Sequence, residues 1–252
     1  MSKLTDKIEK IYPLTSLQEG MLFHYMIDPN TTDYILQYVL DIEVELSVDN
    51  VVIALDLLAK RYSILRTVIF YENIKKPQQI VLKERKIEFN HIIDDETKNF
   101  NDYLEEDLQR TFDLQKGSLV RVTYVEGKHK IIWTIHHIIV DGWSISILFD
   151  KFMYYYNLLQ QEGILQEVIE RIEHEILLET QNNEEFSSYV SWLNTRSEEK
   201  ADEYWRNLLA NYDSYCNIPI INKVTKTKDK THRHTIEIDY RTTIMLKGLA
   251  EE

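Results

Sequence analysis

Two adjacent imidazoles, His136 and His137, are followed by Ile138-Ile139-Val140 and then by a carboxylate and a glycine, Asp141 and Gly142. An imidazole has an ordinary pKa of about 6.5, so it can take a proton from an amine, hydroxyl or thiol that attacks an acyl carbonyl. Gly142 can turn the backbone tightly and bring it close to a substrate. The alternating run Lys128 to His136 reads as a strand, and neighbours on a strand point to opposite faces. Only one imidazole should therefore face any given cavity. His137 shares parity with Ile131, Trp133 and Ile135, and His136 with Ile132 and Thr134, but parity does not say which side the cavity is on. The same residues would also serve as an unreactive strand end, with Asp141-Gly142 making a turn. A metal site is not expected, because adjacent histidines on a strand diverge and no Cys or further His clusters near them. The chain also lacks a Gly-x-Ser-x-Gly elbow and the glycine patterns of phosphate and dinucleotide loops.

The elements that must position this run are legible from periodicity. Pro13 with Thr15 and Ser16, followed by Gln18 and Glu19, predicts a capped helix from about Ser16 to Met26. Leu36 to Val44 alternates as a half-buried strand, and Ser47 or Asp49 caps a helix whose apolar residues run from Val48 to Tyr62 on one face. Leu65 to Tyr71 and Gln78 to Leu82 read as paired strands, Lys86 to Ile93 as a further strand, and Asn99 to Thr111 as an acidic helix. Leu119 to Val125 and Lys128 to His136 flank Glu126-Gly127, a connection suited to a tight hairpin. Ser144 is expected to cap a helix that turns Ile145, Leu148, Phe149, Phe152, Tyr155 and Tyr156 inward. Mixed strands and helices make an α/β sandwich.

Glu162 to Glu185 is acidic, potentially helical and strand-free, which suits a connector between lobes. A second unit should begin near Phe186, with aromatic-rich helices around Trp192 and Tyr204-Trp205. A Lys-rich loop from Asn222 to Lys230, a strand from His232 to Asp239 and a helix from about Arg241 should follow. The net charge of -13 disfavours a phosphate backbone as partner, so no nucleic acid is expected. No run approaches the ~20 apolar residues a membrane helix needs. Cys216 has no second cysteine to pair with and no export signal is evident, so a cytoplasmic location is expected.

Several separated segments, in order, resemble the condensation domains of non-ribosomal peptide synthetases. Tyr12-Pro13-Leu14-Thr15-Ser16-Leu17-Gln18-Glu19-Gly20-Met21-Leu22-Phe23-His24 resembles the family's opening motif. Leu65-Arg66-Thr67 with Phe70 resembles the second, although Tyr62 and Ser63 replace the His and acidic residue usually found before it. His136 to Gly142, with Trp143-Ser144, resembles the active-site motif. Related acyltransferases such as chloramphenicol acetyltransferase share the His-x-x-x-Asp core, and the opening motif separates this family from them.

The resemblance implies a two-layer α/β sandwich of the chloramphenicol acetyltransferase-like type. Residues 1–178 would form the N-terminal lobe carrying the HHxxxDG motif, and 179–252 a connector and the truncated start of the C-terminal lobe. It implies amide formation, in which the amine of a carrier-bound aminoacyl group attacks an upstream carrier-bound acyl or peptidyl thioester. Partners would be the upstream and downstream peptidyl carrier proteins and an adjacent adenylation domain. No cofactor would be bound directly, since the substrates arrive on phosphopantetheine. His137 would be catalytic and His136 a structural neighbour, and Asp141 would tie down its loop in an ion pair with Arg66. Gly142 would bring its backbone to the substrate. Trp143 and Ser144 would pack and cap the next helix, while His24, Tyr12, Gln18 and Met21 are assigned structural places. The alternatives are a carrier-docking lobe without catalysis and a free-standing coenzyme A-dependent acyltransferase.

Overall fold

The computed structural model describes residues 4–94, 98–182, 185–212 and 236–251. In chain order the elements are β1 (Ile8–Pro13), α1 (Ser16–Ile27), β2 (Ile35–Asp41), α2 (Val48–Arg61), β3 (Thr67–Phe70), β4 (Gln78–Leu82) and β5 (Glu88–Ile93). They continue with α3 (Phe100–Gln109), β6 (Val120–Glu126), β7 (Lys130–His136), α4 (Gly142–Glu162), α5 (Gln166–Asn182), α6 (Phe186–Leu193), α7 (Glu198–Leu209) and α8 (Tyr240–Ala250). Short 3-10 turns occupy Leu4–Lys7, Ser63–Arg66 and His137–Ile139. The chain divides into two compact units, Met1–Ser197 and Glu198–Glu252.

The first unit holds a four-stranded sheet in the order β2-β7-β6-β5 and a three-stranded sheet in the order β1-β4-β3. All pairings are antiparallel except β5 with β6. β6 and β7 are almost wholly buried, as befits central strands rich in Val and Ile. Trp133 on β7 packs edge-on against Phe149 and Phe152 of α4, with ring centroids 5.1 and 5.4 Å apart. This places α4 over one face, in a core that also takes α2 residues Val51, Leu55 and Leu58. The opposite face, with Ile132 and Val125, packs on Tyr103 of α3.

Beneath α3, Asp107 is buried and fully used. Its carboxylate accepts from Arg121 Nε at 2.7 Å, from Gln37 Nε2 at 3.1 Å and from the Thr134 hydroxyl. Arg121 also donates from Nη2 to the Asp107 and Arg110 carbonyls, so the deeply buried charge pair is held by several hydrogen bonds beyond its own contact. The network pins α3 to β2, β6 and β7, the strands that lead to the histidine pair.

Several expectations change in detail. β1 escapes the pattern reading, because it is a short edge strand in which Glu9 and Lys10 interrupt the alternation and Pro13 is its last residue. Leu65 and Arg66 belong to a 3-10 turn rather than to β3. The β6–β7 connection is Gly127–Lys128–His129 rather than two residues, with Gly127 at φ 84° and His129 at φ 51°. A Cβ at Gly127 would sit 3.4 Å from the Asp94 Cβ in a backbone region that side chains disfavour.

The expected connector is helix α5, held to the first unit by Ile172 and Ile176 in the core and by Glu179, which meets both Arg61 at 2.5 Å and Lys151 at 3.0 Å. α6 follows, with Phe186 against the ring of Tyr12. In the second unit, α7 carries exposed Tyr204 and Trp205 and α8 is capped by Asp239. The Lys-rich loop Asn222 to Lys230, Cys216, and residues 232–235 of the expected strand lie outside the described residues. Residues 236–239 have no regular structure.

Candidate active site

β2 and β7 pair along their full length, from Asp41 opposite Lys130 to Ile35 opposite His136. The ladder closes one step further on, where the His137 amide donates to the Tyr34 carbonyl at 2.7 Å. Tyr34 sits in the left-handed region at φ 63°, a strained setting for an aromatic residue, with its ring 5.7 Å from that of His24. The chain then leaves the sheet as the 3-10 turn His137–Ile139, closed by the Val140 amide on the His137 carbonyl at 3.3 Å. Strand parity therefore stops at His136, and the turn, not the pleat, decides where His137 points.

The two imidazoles have different surroundings. His136 is buried, faces the edge of Phe112, and accepts the Ile138 amide on Nδ1 at 3.1 Å. Burial, reinforced by the neighbouring His137, lowers its pKa from 6.5 to about 4, so His136 stays neutral and carries its proton on Nε2. His137 is half-buried, and its Nδ1 is enclosed without a hydrogen-bond partner. Nε2 makes no hydrogen bond to the described residues either and is not enclosed, so it, rather than Nδ1, is the nitrogen a ligand can meet. His137 is the imidazole of the pair that the fold leaves free to work.

Asp141 corrects an expectation. It is exposed and is the N-cap of α4, accepting from the Ser144 amide at 2.8 Å and the Ser144 hydroxyl at 2.6 Å. These hydrogen bonds hold its pKa below the ordinary value of 3.8. Ser144 is the partner in this reciprocal cap rather than the cap itself. The expected Arg66–Asp141 pair does not form. Arg66 is buried, donates to the Ala59 carbonyl at 2.9 Å and the Leu82 carbonyl, and meets Glu9 at 2.6 Å. Its reach is spent tying the Ser63–Arg66 turn to β1 and β4, while Asp141 finds its donors locally.

Gly142 supplies the first residue of α4 and lies in open space, since a Cβ there would meet nothing within 4 Å. Trp143 does not pack as expected and is 84% exposed. The positive end of the α4 dipole thus opens beside the His137 turn. Cavities of about 490 and 410 Å³ lie elsewhere, the first lined by Arg61, Tyr62, Ser63 and Arg66, and neither includes a residue from 136 to 142. Tyr62 and Ser63, the departures in the second motif, thus line a cavity apart from the histidines. Among the described residues no cluster of metal-ligating side chains occurs, and no helix is long and apolar enough to cross a membrane.

Gln18 is where sequence reasoning fell short. It is buried at the start of α1, and its Nε2 donates to the Ile138 carbonyl at 2.9 Å, inside the turn that carries His137. The opening motif and the histidine motif, far apart in sequence, are thus in direct contact. A family model of the condensation domain matches residues 8–252.

The chain belongs to the condensation domain family. It is similar to tyrocidine synthase 3 of Brevibacillus parabrevis, with 34% identity over 225 residues that cover 86% of this chain and 3% of that relative. The fold is similar to the first condensation domain of the calcium-dependent antibiotic synthetase in complex with a substrate analogue, at TM-score 0.62 and 16% identity, covering 81% of this chain and 50% of that one. It is also similar to the starter condensation domain of rhizomide synthetase, at TM-score 0.61 and 15% identity, covering 80% of this chain and 50% of that one. The chain thus spans about half the length of these solved condensation domains and a small part of its curated relatives.

Two outcomes follow from the site. Asp141→Ala should remain folded and lose only the worth of a helix cap, about 1 kcal/mol by urea unfolding at pH 7. Because its folded pKa is depressed, the difference from the unsubstituted chain should be full above pH 3.8 and shrink as the pH falls below it. His136 gives a second pH window. The unfolded chain binds a proton there below about pH 6.5 while the folded chain resists until about pH 4, so stability should drop as the pH is lowered from 6.5 towards 4. In His136→Asn, which keeps an acceptor for the Ile138 amide, urea midpoints measured between pH 7 and 5 should lose that part of the slope.

Proposed function

We propose that this condensation domain forms an amide bond between two carrier-bound substrates, with His137 as the catalytic residue. The amine of an acceptor aminoacyl thioester attacks the carbonyl carbon of an upstream acyl or peptidyl thioester. A nitrogen–carbon bond forms, the carbon–sulfur bond breaks, and the phosphopantetheine thiol leaves. The imidazole of His137 orients the attacking amine and takes the proton it sheds, then returns a proton to the departing thiolate. Tethering both substrates on carriers raises their effective concentration and removes much of the entropic barrier.

The observation that carries this reading is the division of labour within the pair. His136 is buried, neutral and committed to the Ile138 amide, whereas the His137 ring has no hydrogen-bond partner among the described residues, and its Nε2, unlike the enclosed Nδ1, is left to meet a substrate. We assign the developing oxyanion to the Gly142 amide, on the ground that it is the first residue of helix α4. Asp141 serves the reaction by holding the helix start, not through an ion pair with Arg66. Residues 1–178 act as the lobe that brings the motif, and the neighbouring partners are peptidyl carrier proteins and an adenylation domain.

The test mixes a donor carrier loaded with an acyl or aminoacyl group, an acceptor carrier loaded with an amino acid, and this chain alone or within its complete condensation domain. Intact-protein mass spectrometry reads the mass of the acceptor. The condensed product should form and should be lost in His137→Ala, while His136→Asn should retain it. Undiminished product in a folded His137→Ala variant overturns the assignment of His137. No product from the complete domain with matched carriers would favour a docking lobe instead.

A further inference from the structure

Gln18 and Gln79 form a reciprocal amide pair in the interior, each donating from Nε2 to the other's Oε1 at 2.9 Å. Both side chains are buried. The second hydrogen of Gln79 Nε2 goes to the Pro13 carbonyl at 3.1 Å. The second hydrogen of Gln18 Nε2 goes to the Ile138 carbonyl at 2.9 Å, and Gln18 Oε1 also accepts the Thr15 amide at 3.0 Å. Every donor of the two amides is used. The Thr15 hydroxyl also donates to Gln18 Oε1 at 3.2 Å, but the main chain fixes the orientation, because the Thr15 amide can only donate and the Ile138 carbonyl only accept, so a flipped Gln18 would set donor against donor and acceptor against acceptor.

The pair joins the end of β1, the N-cap of α1, the start of β4 and the 3-10 turn between β7 and α4. That turn is only three residues long and leaves the sheet as soon as the Tyr34 bond is made. Its N-terminal side is held by the sheet. On its C-terminal side Ile138, Ile139 and Val140 are packed in the core, a contact without directional hydrogen bonds, and exposure begins at Asp141 and Gly142. Ile138, directly after His137, is gripped at both main-chain polar groups, its amide by His136 Nδ1 at 3.1 Å and its carbonyl by the Gln18 amide, and Gln18 is the grip that comes from another element.

We propose that Gln18, braced by Gln79, is a positioning residue for His137: by gripping the Ile138 carbonyl it fixes the turn and hence the direction of the imidazole. This rests on the condensation reading for its catalytic consequence, but the geometric part stands apart from it. A misplacement of a catalytic group by about 1 Å can cost around 100-fold in rate.

The test compares Gln18→Met, close in volume but without the amide, with Asn50→Leu. Asn50 is also buried and amide-paired, to Gln160 at 2.9 Å, but this joins α2 to the far end of α4. Each variant of the full chain is labelled with 15N-histidine, and the His137 ring shifts are recorded alongside thermal stability. Condensation kinetics are measured in the complete domain. Gln18→Met should move the His137 ring resonances and lower kcat about 100-fold with little change in the KM for the acceptor carrier. Asn50→Leu should lose stability while leaving those resonances in place.

Equal His137 spectra in the two variants, or a kcat loss in Gln18→Met no greater than in Asn50→Leu, overturns the proposal. If Gln18→Met does not fold, Gln18→Glu keeps the acceptor for Thr15 and Gln79 while removing the amide donor to Ile138, and is read above pH 7 by the same criteria. Absence of product from the unsubstituted domain would count against the condensation reading alone, since the ring shifts still decide the role of Gln18.

Discussion

The hydrogen bond from the His137 amide to the Tyr34 carbonyl, 2.7 Å long, is the last rung of the β2–β7 ladder, and the site's geometry hangs from it. β7 is a central strand, buried on both faces, with Trp133 clasped by α4 on one side and Ile132 against α3 on the other. A strand fixed in this way cannot slip register without turning its whole set of side chains over. The rung transmits that rigidity to the first residue of the turn. Tyr34 bears the cost in a left-handed backbone, the kind of local strain that a surrounding structure sustains when it sets a functional residue.

Burial then separates two chemically identical neighbours. His136 points into the interior beside Phe112 and loses its basicity, because a charged ring there would forfeit its hydration. It becomes a neutral acceptor that shapes the turn through the Ile138 amide. His137 leaves the sheet, and its ring makes no hydrogen bond among the described residues. Asp141 completes the arrangement as a helix cap, exposed and satisfied by Ser144, so its negative charge sits at the positive end of the α4 dipole rather than in a buried ion pair.

Much of this was legible in the sequence because it follows from local periodicity. The capped start of α1 and of α2, where the structure selects Thr15 and Ser47 from the pairs the sequence offered, the buried face of α2, the strand before the histidines and the long helix after them appear as expected. What was not legible depends on contacts between distant segments. Nothing in the pattern of Leu65-Arg66-Thr67 says that Arg66 reaches Glu9 on an edge strand instead of Asp141, since both acids are plausible partners for a guanidinium. Gln79 lies in an ordinary alternating strand, and only the fold reveals it against Gln18. The spacing left the histidine pair open between a reactive and an unreactive strand end, and the assignment of His137 came from the motif's resemblance; its escape from strand parity depends on a three-residue turn too short to leave a periodic signal.

The account rests on His137 being set by the sheet before any substrate arrives. Native-state hydrogen exchange at the His137 amide tests this directly. If the bond to Tyr34 is the end of a rigid ladder, this amide should exchange only through openings nearly as costly as those of the buried amides of β7. Exchange at the rate of an exposed loop, with β7 still protected, would mean that the imidazole is placed by something other than the fold described here.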